Sequence, residues 1–353
     1  TYGLEQAGIR FRSTGGTSAG SINALFIQAA GAPFEAKSQK LTELVASMPM
    51  DKFQDGGKDG IAFVNAWLNS SPLKWLTIIP VIDDFLRLGL NPGDAFHHWV
   101  TEQLTSFNAT TWQALKSTMN MPVPGLVFQN SSDPTSPPMS IPNERWRPEL
   151  KIVTAELTTT TKIVLPERDG LLFYSDINET NPADFVRASM SAPFFFEPYR
   201  ITDIPNGEHI AKAWLKRGYN GVVPNEAAFV DGGMISNFPI NLFHRAKHIP
   251  RLPTFGAKLG IDKDNLRTID SLPSFAGAMI DTMRHDSDEE FIRKNPDYNQ
   301  LVKEIDTGAH HWLNFSMSNN DKLDLFARGV AAAHHFLQLF DWAAYKEIRA
   351  NNT

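Results

Sequence analysis

Apolar and polar residues alternate over 9–12, with Ile9 and Phe11 on one face. The period then changes, and Ile22, Ala24, Leu25 and the run 27–30 recur at helical spacing. A strand is therefore predicted to run straight into a helix. Helical periodicity continues over 36–48, 60–70 and 94–119. Residues 150–157 are apolar on both faces, as a strand inside a sheet would be. Shorter strand-like runs stand at 162–165, 171–174, 229–230 and 253–259, and helices are predicted at 274–283, 288–292, 298–302 and 322–344. Strands alternating with helices ahead of a helical C-terminal part predict an α/β fold, one domain over residues 1–353 with a core of 1–260 and a helical part of 261–353.

Two stretches stand apart from this alternation. Residues 73–90 are the most apolar of the chain, interrupted by Pro80 and by Asp83 and Asp84. They read either as two short packing helices or as an amphipathic surface that borders a site and docks on lipid aggregates. Residues 120–148 are rich in Pro, Ser and Asn, which predicts a long loop over a site. The chain opens on 2–8, which reads as the closing turns of a helix ended by Gly8, so further residues are expected upstream.

Composition narrows the function classes. With 42% hydrophobic and 20% charged residues the chain is ordinary globular material. A net charge of −6 argues against a nucleic-acid partner. The absence of cysteine removes disulfides, thiolate catalysis and cysteine-ligated zinc. No uninterrupted apolar run is long enough to span a bilayer, and no signal peptide is visible, so a soluble or peripherally membrane-bound, cytoplasmic protein is expected.

The predicted strand-to-helix junction contains Gly16-Thr17-Ser18-Ala19-Gly20. A serine on such a turn holds its hydroxyl away from the backbone, and glycines at Gly16 and Gly20 remove side chains that would clash. The Ala19 amide, at the positive end of the helix, then faces the oxygen of a carbonyl under attack. Taken alone, the pentapeptide fits a plain glycine-rich turn equally well. Asp231 stands at the end of an apolar run and before Gly232 and Gly233; alone it fits a tight Asp-Gly turn or a carboxylate at a sheet edge. A third block, Arg187-Ala188-Ser189-Met190-Ser191-Ala192-Pro193, follows a helix-like 182–186 and precedes Phe194-Phe195-Phe196.

Together these blocks resemble the patatin-like phospholipases in order and spacing: Gly16–Gly20 followed by Ser21-Ile22-Asn23-Ala24, then 187–193, then Asp231-Gly232-Gly233 with Asn237 and Pro239 behind it. The resemblance covers about residues 2–260. It implies a three-layer α/β sandwich around a central, mostly parallel sheet. It also implies a Ser-Asp dyad of Ser18 and Asp231 with no histidine between them, and an acyl-enzyme route to the cleavage of phospholipid or related acyl esters. The implied partners are a lipid substrate and a membrane or lipid-aggregate surface; no metal, calcium or dissociable cofactor is implied. The family takes most of its oxyanion hole from a glycine-rich loop ahead of the first helix, which would lie upstream of Thr1, so Ala19 is the donor expected within this chain.

Two other readings remain. An α/β-hydrolase with a Ser-Asp-His triad shares the pentapeptide and would recruit one of His244, His248, His285, His310, His311, His334 or His335, but needs several strands before its serine. A non-catalytic lipid-binding module on the same scaffold is the third. Arg245, Lys247, His248 and Arg251 form a basic patch that reads as a solvated turn or as a contact for anionic headgroups.

Overall fold

Two strands that run toward each other along one edge of a third organise the protein. The computed structural model describes residues 1–56, 88–128, 135, 137–141, 145–236, 238–245, 248–260, 278, 282, 294–308, 310 and 317–351. Its strands are β1 (Thr14–Thr17), β2 (Gly89–Asn91), β3 (Val127–Phe128), β4 (Met139–Ser140), β5 (Leu150–Glu156), β6 (Thr161–Pro166), β7 (Phe194–Phe196), β8 (Tyr199–Thr202), β9 (Glu226–Asp231), β10 (Gly256–Leu259) and β11 (Val302–Ile305).

β5 is the axis, buried along its length except at Lys151. One of its edges pairs antiparallel with β6, from Lys151 opposite Pro166 to Glu156 opposite Thr161. The other edge is shared. β1 runs parallel along residues 150–153, and β9 runs antiparallel along 154–156. β8 extends the sheet beyond β9. The expected mostly parallel sheet is corrected here, because among the described pairings of this sheet only β1 with β5 is parallel. One cause is local. Residues 157–160 are too short a link for a crossover, so β5 and β6 must form a hairpin. Buried Glu156 holds that turn by accepting the Thr158 and Thr159 amides at 2.6 and 2.8 Å.

Helices cover the sheet and define the core. Ala19–Ala29 buries Ile22, Leu25, Phe26 and Ile27 and packs against β1 and β5. Pro182–Ser189 starts with an Asn181 cap on the Ala183 amide and packs against β5 and β9. The region 94–119 is two helices, Asp94–Ser106 and Trp112–Met119, the second capped by Thr111. The expected helix over 322–344 is also two, Asn319–Leu339 with a Ser318–Asp321 capping box and Trp342–Asn351 after it. The break follows from Asp341, whose carboxylate takes the Ala344 amide at 3.0 Å and starts the second helix. A smaller cluster of Ile240, Tyr298, Leu301 and Tyr345 joins this C-terminal part to the residues after β9.

Other expectations shift with their surroundings. The strand expected over 9–12 forms instead at 14–17, because the β5 ladder begins at Leu150, opposite Thr14. Residues 170–172 are a 3-10 turn, through which Leu172 and Phe173 reach the core. The helix expected at 298–302 is a 3-10 turn, Pro296–Gln300, followed by β11, which pairs parallel with β10. Residues 57–87 lie outside the described residues, and with them nearly all of the apolar stretch 73–90 and the helix expected at 60–70. The same holds for most of 274–283 and all of 288–292.

A buried lysine secures the far end of the helix that follows Ser18. Lys37 Nζ donates to the Ile27 carbonyl at 2.7 Å, while Glu5 accepts the Lys37 and Ser38 amides. Burial, opposed by Glu5, lowers the lysine from 10.5 to about 8. The folded protein thus releases this proton more readily than the unfolded chain, so stability should rise with pH between those values. In urea titrations, wild type is expected to gain up to about 3 kcal/mol relative to Lys37→Met between about pH 7.5 and 10.5. Identical pH profiles for the two proteins would contradict the buried, perturbed lysine.

Candidate active site

The strand arrangement dictates what meets at the sheet edge. β1 ends at Thr17 opposite Val153, and β9 ends at Asp231 opposite Thr154. Two chain ends aimed at consecutive residues of one strand must come together, and here they carry Ser18 and Asp231. Ser18 Oγ donates to Asp231 Oδ2 at 2.7 Å. Thr17 Oγ1 adds a second tie by donating to the Ser236 carbonyl at 2.9 Å.

Ser18 is held in an unusual backbone state, φ 52° and ψ −131°. L-residues avoid this region at a cost of about 1–3 kcal/mol, so surrounding bonds must hold it there. The Ser18 amide donates to Ser189 Oγ at 2.9 Å, and its carbonyl accepts the Ser21 amide at 2.8 Å and Ser21 Oγ at 2.5 Å. Gly16 makes the bend possible, since a Cβ there would lie 2.1 Å from the Gly20 carbonyl oxygen. Gly20 differs from the sequence expectation, because a Cβ on it would meet nothing within 4 Å. Ala19 and Gly20 are the first residues of the helix, and both are exposed beside the serine. Amides in a helix's first turn have no intrahelical acceptor.

Asp231 is buried, and its two oxygens have separate duties. Oδ1 accepts the Gly233 amide at 2.7 Å, which turns Oδ2 to Ser18. A Cβ on Gly232 would come within 2.1 Å of the Val153 carbonyl oxygen, so only glycine lets the chain leave β9 at this point.

The block 187–193 has a part that sequence reasoning left without a role. Ser189 Oγ accepts from Ser18 and donates to the Val153 carbonyl at 2.7 Å, while the Ser191 carbonyl accepts the Asp231 amide at 2.8 Å. Buried Arg187 fixes this segment by donating to Ser191 Oγ, the Pro92 carbonyl and the Glu197 carbonyl at 2.6, 2.5 and 2.9 Å. Burial lowers the guanidinium to about 10, with Asp55 opposing, so it stays cationic at neutral pH. Met190 Sδ lies 3.7 Å from Ser18 Oγ. The available signal was the pair of hydroxyls at alternate positions behind an arginine, at a helix end.

The other named residues are placed as follows. His244 Nδ1 lies 2.5 Å from the Tyr298 hydroxyl, and burial followed by the charge of Arg349 holds its pKa below the ordinary value. His310 contacts Asp324 at 2.9 Å and His335 contacts Lys303 at 3.2 Å. Arg245, His248 and Arg251 are exposed. Asn237, Lys247, His285 and His311 lie outside the described residues. Ser18, Asn23, Met190 and Phe195 line a common open cleft.

A family model described as patatin-like phospholipase matches residues 1–244. The chain belongs to the patatin-like phospholipase family. It is 27% identical over 342 residues to YqhO, an uncharacterized protein of Bacillus subtilis, covering 95% of this chain and 91% of that one. Among solved structures it is similar to VipD from Legionella pneumophila with a TM-score of 0.42 and 12% identity, over 96% of this chain; it spans 63% of the VipD chain. The match of residues 1–244 takes in all three blocks, whereas the C-terminal helices lie beyond it. Membership in this patatin-like phospholipase family implies a lipid acyl hydrolase.

The two glycines of the pentapeptide should respond differently to a methyl group. Gly16→Ala is expected to cost about 1–3 kcal/mol or more, because the clash is with backbone. Gly20→Ala is expected to change stability by no more than about 0.5 kcal/mol. Chemical denaturation of both variants checks this, and equal losses would contradict the geometry of the bend.

Proposed function

We propose that this protein hydrolyses fatty-acyl esters of glycerophospholipids or related lipids, with Ser18 as nucleophile and Asp231 as its base. The observation that carries the reading is the direct 2.7 Å bond from Ser18 Oγ to Asp231 Oδ2, made by a serine whose backbone is held at φ 52°. A direct bond of this length leaves no position for an imidazole between the two groups, which favours a dyad over a Ser-Asp-His triad. Ser18 Oγ attacks the acyl carbonyl carbon as its proton passes to Asp231 Oδ2. The developing oxyanion faces the Ala19 end of the helix, where the amide and the helix dipole favour negative charge. Collapse of the tetrahedral species breaks the ester C–O bond, and Asp231 returns the proton to the departing alcohol. Water then attacks the acyl-serine, giving its proton to Asp231, and as the Ser18 Oγ–acyl bond breaks Asp231 returns that proton to Oγ, releasing the fatty acid. The apolar walls at Met190 and Phe195 suit an acyl chain.

Proximity is what makes an aspartate sufficient here, since the base already accepts a hydrogen bond from the hydroxyl whose proton it must take. Gly233 occupies Oδ1, so the acceptor facing the serine is a single defined oxygen. No metal-dependent step enters this scheme.

Turnover of a short-chain ester should fall by at least about 10³-fold in Ser18→Ala and in Asp231→Asn, with folding preserved. His244→Ala should remain active, and excess EDTA should leave the wild-type rate unchanged. Abolition of activity by His244→Ala together with an active Asp231→Asn would establish a triad instead.

A further inference from the structure

An arginine-rich, partly apolar surface lies along the same open cleft as Ser18, toward the Thr14 end of β1. Arg145 and Arg251 both rest their guanidinium groups on the ring of Phe128, each 5.8 Å from its centroid. This joins β3, which pairs with β4, to the segment that holds Arg251. Arg12 lies 5.6 Å from the centroid of Trp146 and donates to the Arg147 carbonyl at 2.8 Å, yet its Nε is buried without a hydrogen-bond partner among the described residues. Burial lowers the Arg12 pKa; Glu149 opposes this and the charge of Arg245 adds to it. Arg245 therefore belongs to the same group of charges. Glu149, the acid that reaches Arg12, is itself held by Lys151 at 3.2 Å.

Apolar side chains are interleaved with these cations. Val127, Met139, Ile249 and Leu252 are each about half exposed, at 50, 47, 48 and 56%. The surface is also held in shape. Arg349, buried and paired with Asp297, donates to the Arg245 and His248 carbonyls at 2.9 and 3.0 Å. A chain of net charge −6 thus sets Arg12, Arg145, Arg245 and Arg251 near exposed aliphatic residues on one surface.

We propose that the surface formed by strands β3 and β4, Arg12, Arg145, Arg245 and residues 248–252 docks the protein on anionic lipid membranes. Arginines meet the headgroups there, and Val127, Met139, Ile249 and Leu252 enter the interfacial layer. The ligand is the membrane around the substrate and not the substrate's own phosphate. β1 alone puts roughly 10 Å between this surface and Ser18, whereas a glycerophospholipid phosphate stands only a few bonds from its acyl esters. The proposal rests on the hydrolase reading only for the use that docking serves.

The test is co-sedimentation of the full chain with vesicles of phosphatidylcholine alone and of phosphatidylcholine mixed with phosphatidylglycerol, beside turnover of a soluble short-chain ester. Wild type should prefer the anionic vesicles, and the preference should fade with added salt. Each arginine near an anionic surface contributes about five-fold, so Arg145→Glu/Arg251→Glu should weaken anionic-vesicle binding by about 30-fold or more, with short-chain turnover and melting temperature unchanged. Arg145→Gln/Arg251→Gln tests the same point should the double reversal unfold. Val127→Ser/Ile249→Ser should also reduce binding without any change in charge. Equal binding to both vesicle types, wild-type binding by the arginine variants, or binding to single-stranded oligonucleotide but to no vesicle would overturn the proposal. Vesicle binding without ester turnover in the wild type would leave docking in place and remove the hydrolase reading.

Discussion

The site depends on one shared strand edge. β5 has β6 along one side, so β1 and β9 must divide the other, one parallel and one antiparallel. Their ends therefore converge on Val153 and Thr154, and whatever follows Thr17 faces whatever closes β9. Neither strand is long enough to place its terminal residue by itself. The register along β5 determines the 2.7 Å contact of Ser18 and Asp231, and a slip of one residue in either ladder would separate them.

The junction is then held from a third direction. The helix Pro182–Ser189 delivers a segment whose Ser189 side chain reaches the Ser18 amide and the Val153 carbonyl, while the Ser191 carbonyl reaches the Asp231 amide. A single short stretch thus bonds the backbones of Ser18, of Asp231 and of the strand between them. Arg187 explains why the stretch stays in place: its buried guanidinium donates to the Pro92 and Glu197 carbonyls as well as to Ser191 Oγ. Strain at Ser18 persists because bonds from several elements over-determine it.

What was legible in the sequence was what periodicity and residue chemistry encode locally. β5 declared itself through apolar residues on both faces, and Asp231 through its place between an apolar run and two glycines. The helix after Ser18 was visible in the spacing of Ile22, Leu25 and Ile27. β1 was not, because Thr14-Gly15-Gly16-Thr17 carries no apolar residue and is a strand only through its partner. The mostly parallel sheet was implied by the family resemblance, which says nothing of the hairpin imposed by the short turn after Glu156. Ser189 and Ser191 were seen as a block, but their partners, residues 18, 153 and 231, are distant in sequence, beyond what spacing can report. Gly20 shows the reverse error: its place in the pentapeptide implied a steric need that the bend imposes only on Gly16.

The central claim is that Ser18 is the residue that becomes acylated. Treating the protein with an organophosphonate ester inhibitor and mapping its peptides by mass spectrometry tests this directly. One stoichiometric adduct on Ser18, lost in Ser18→Ala and formed far more slowly in Asp231→Asn, is the result the account predicts. Ester turnover with the adduct on another side chain, or undiminished labelling in Asp231→Asn, would contradict it.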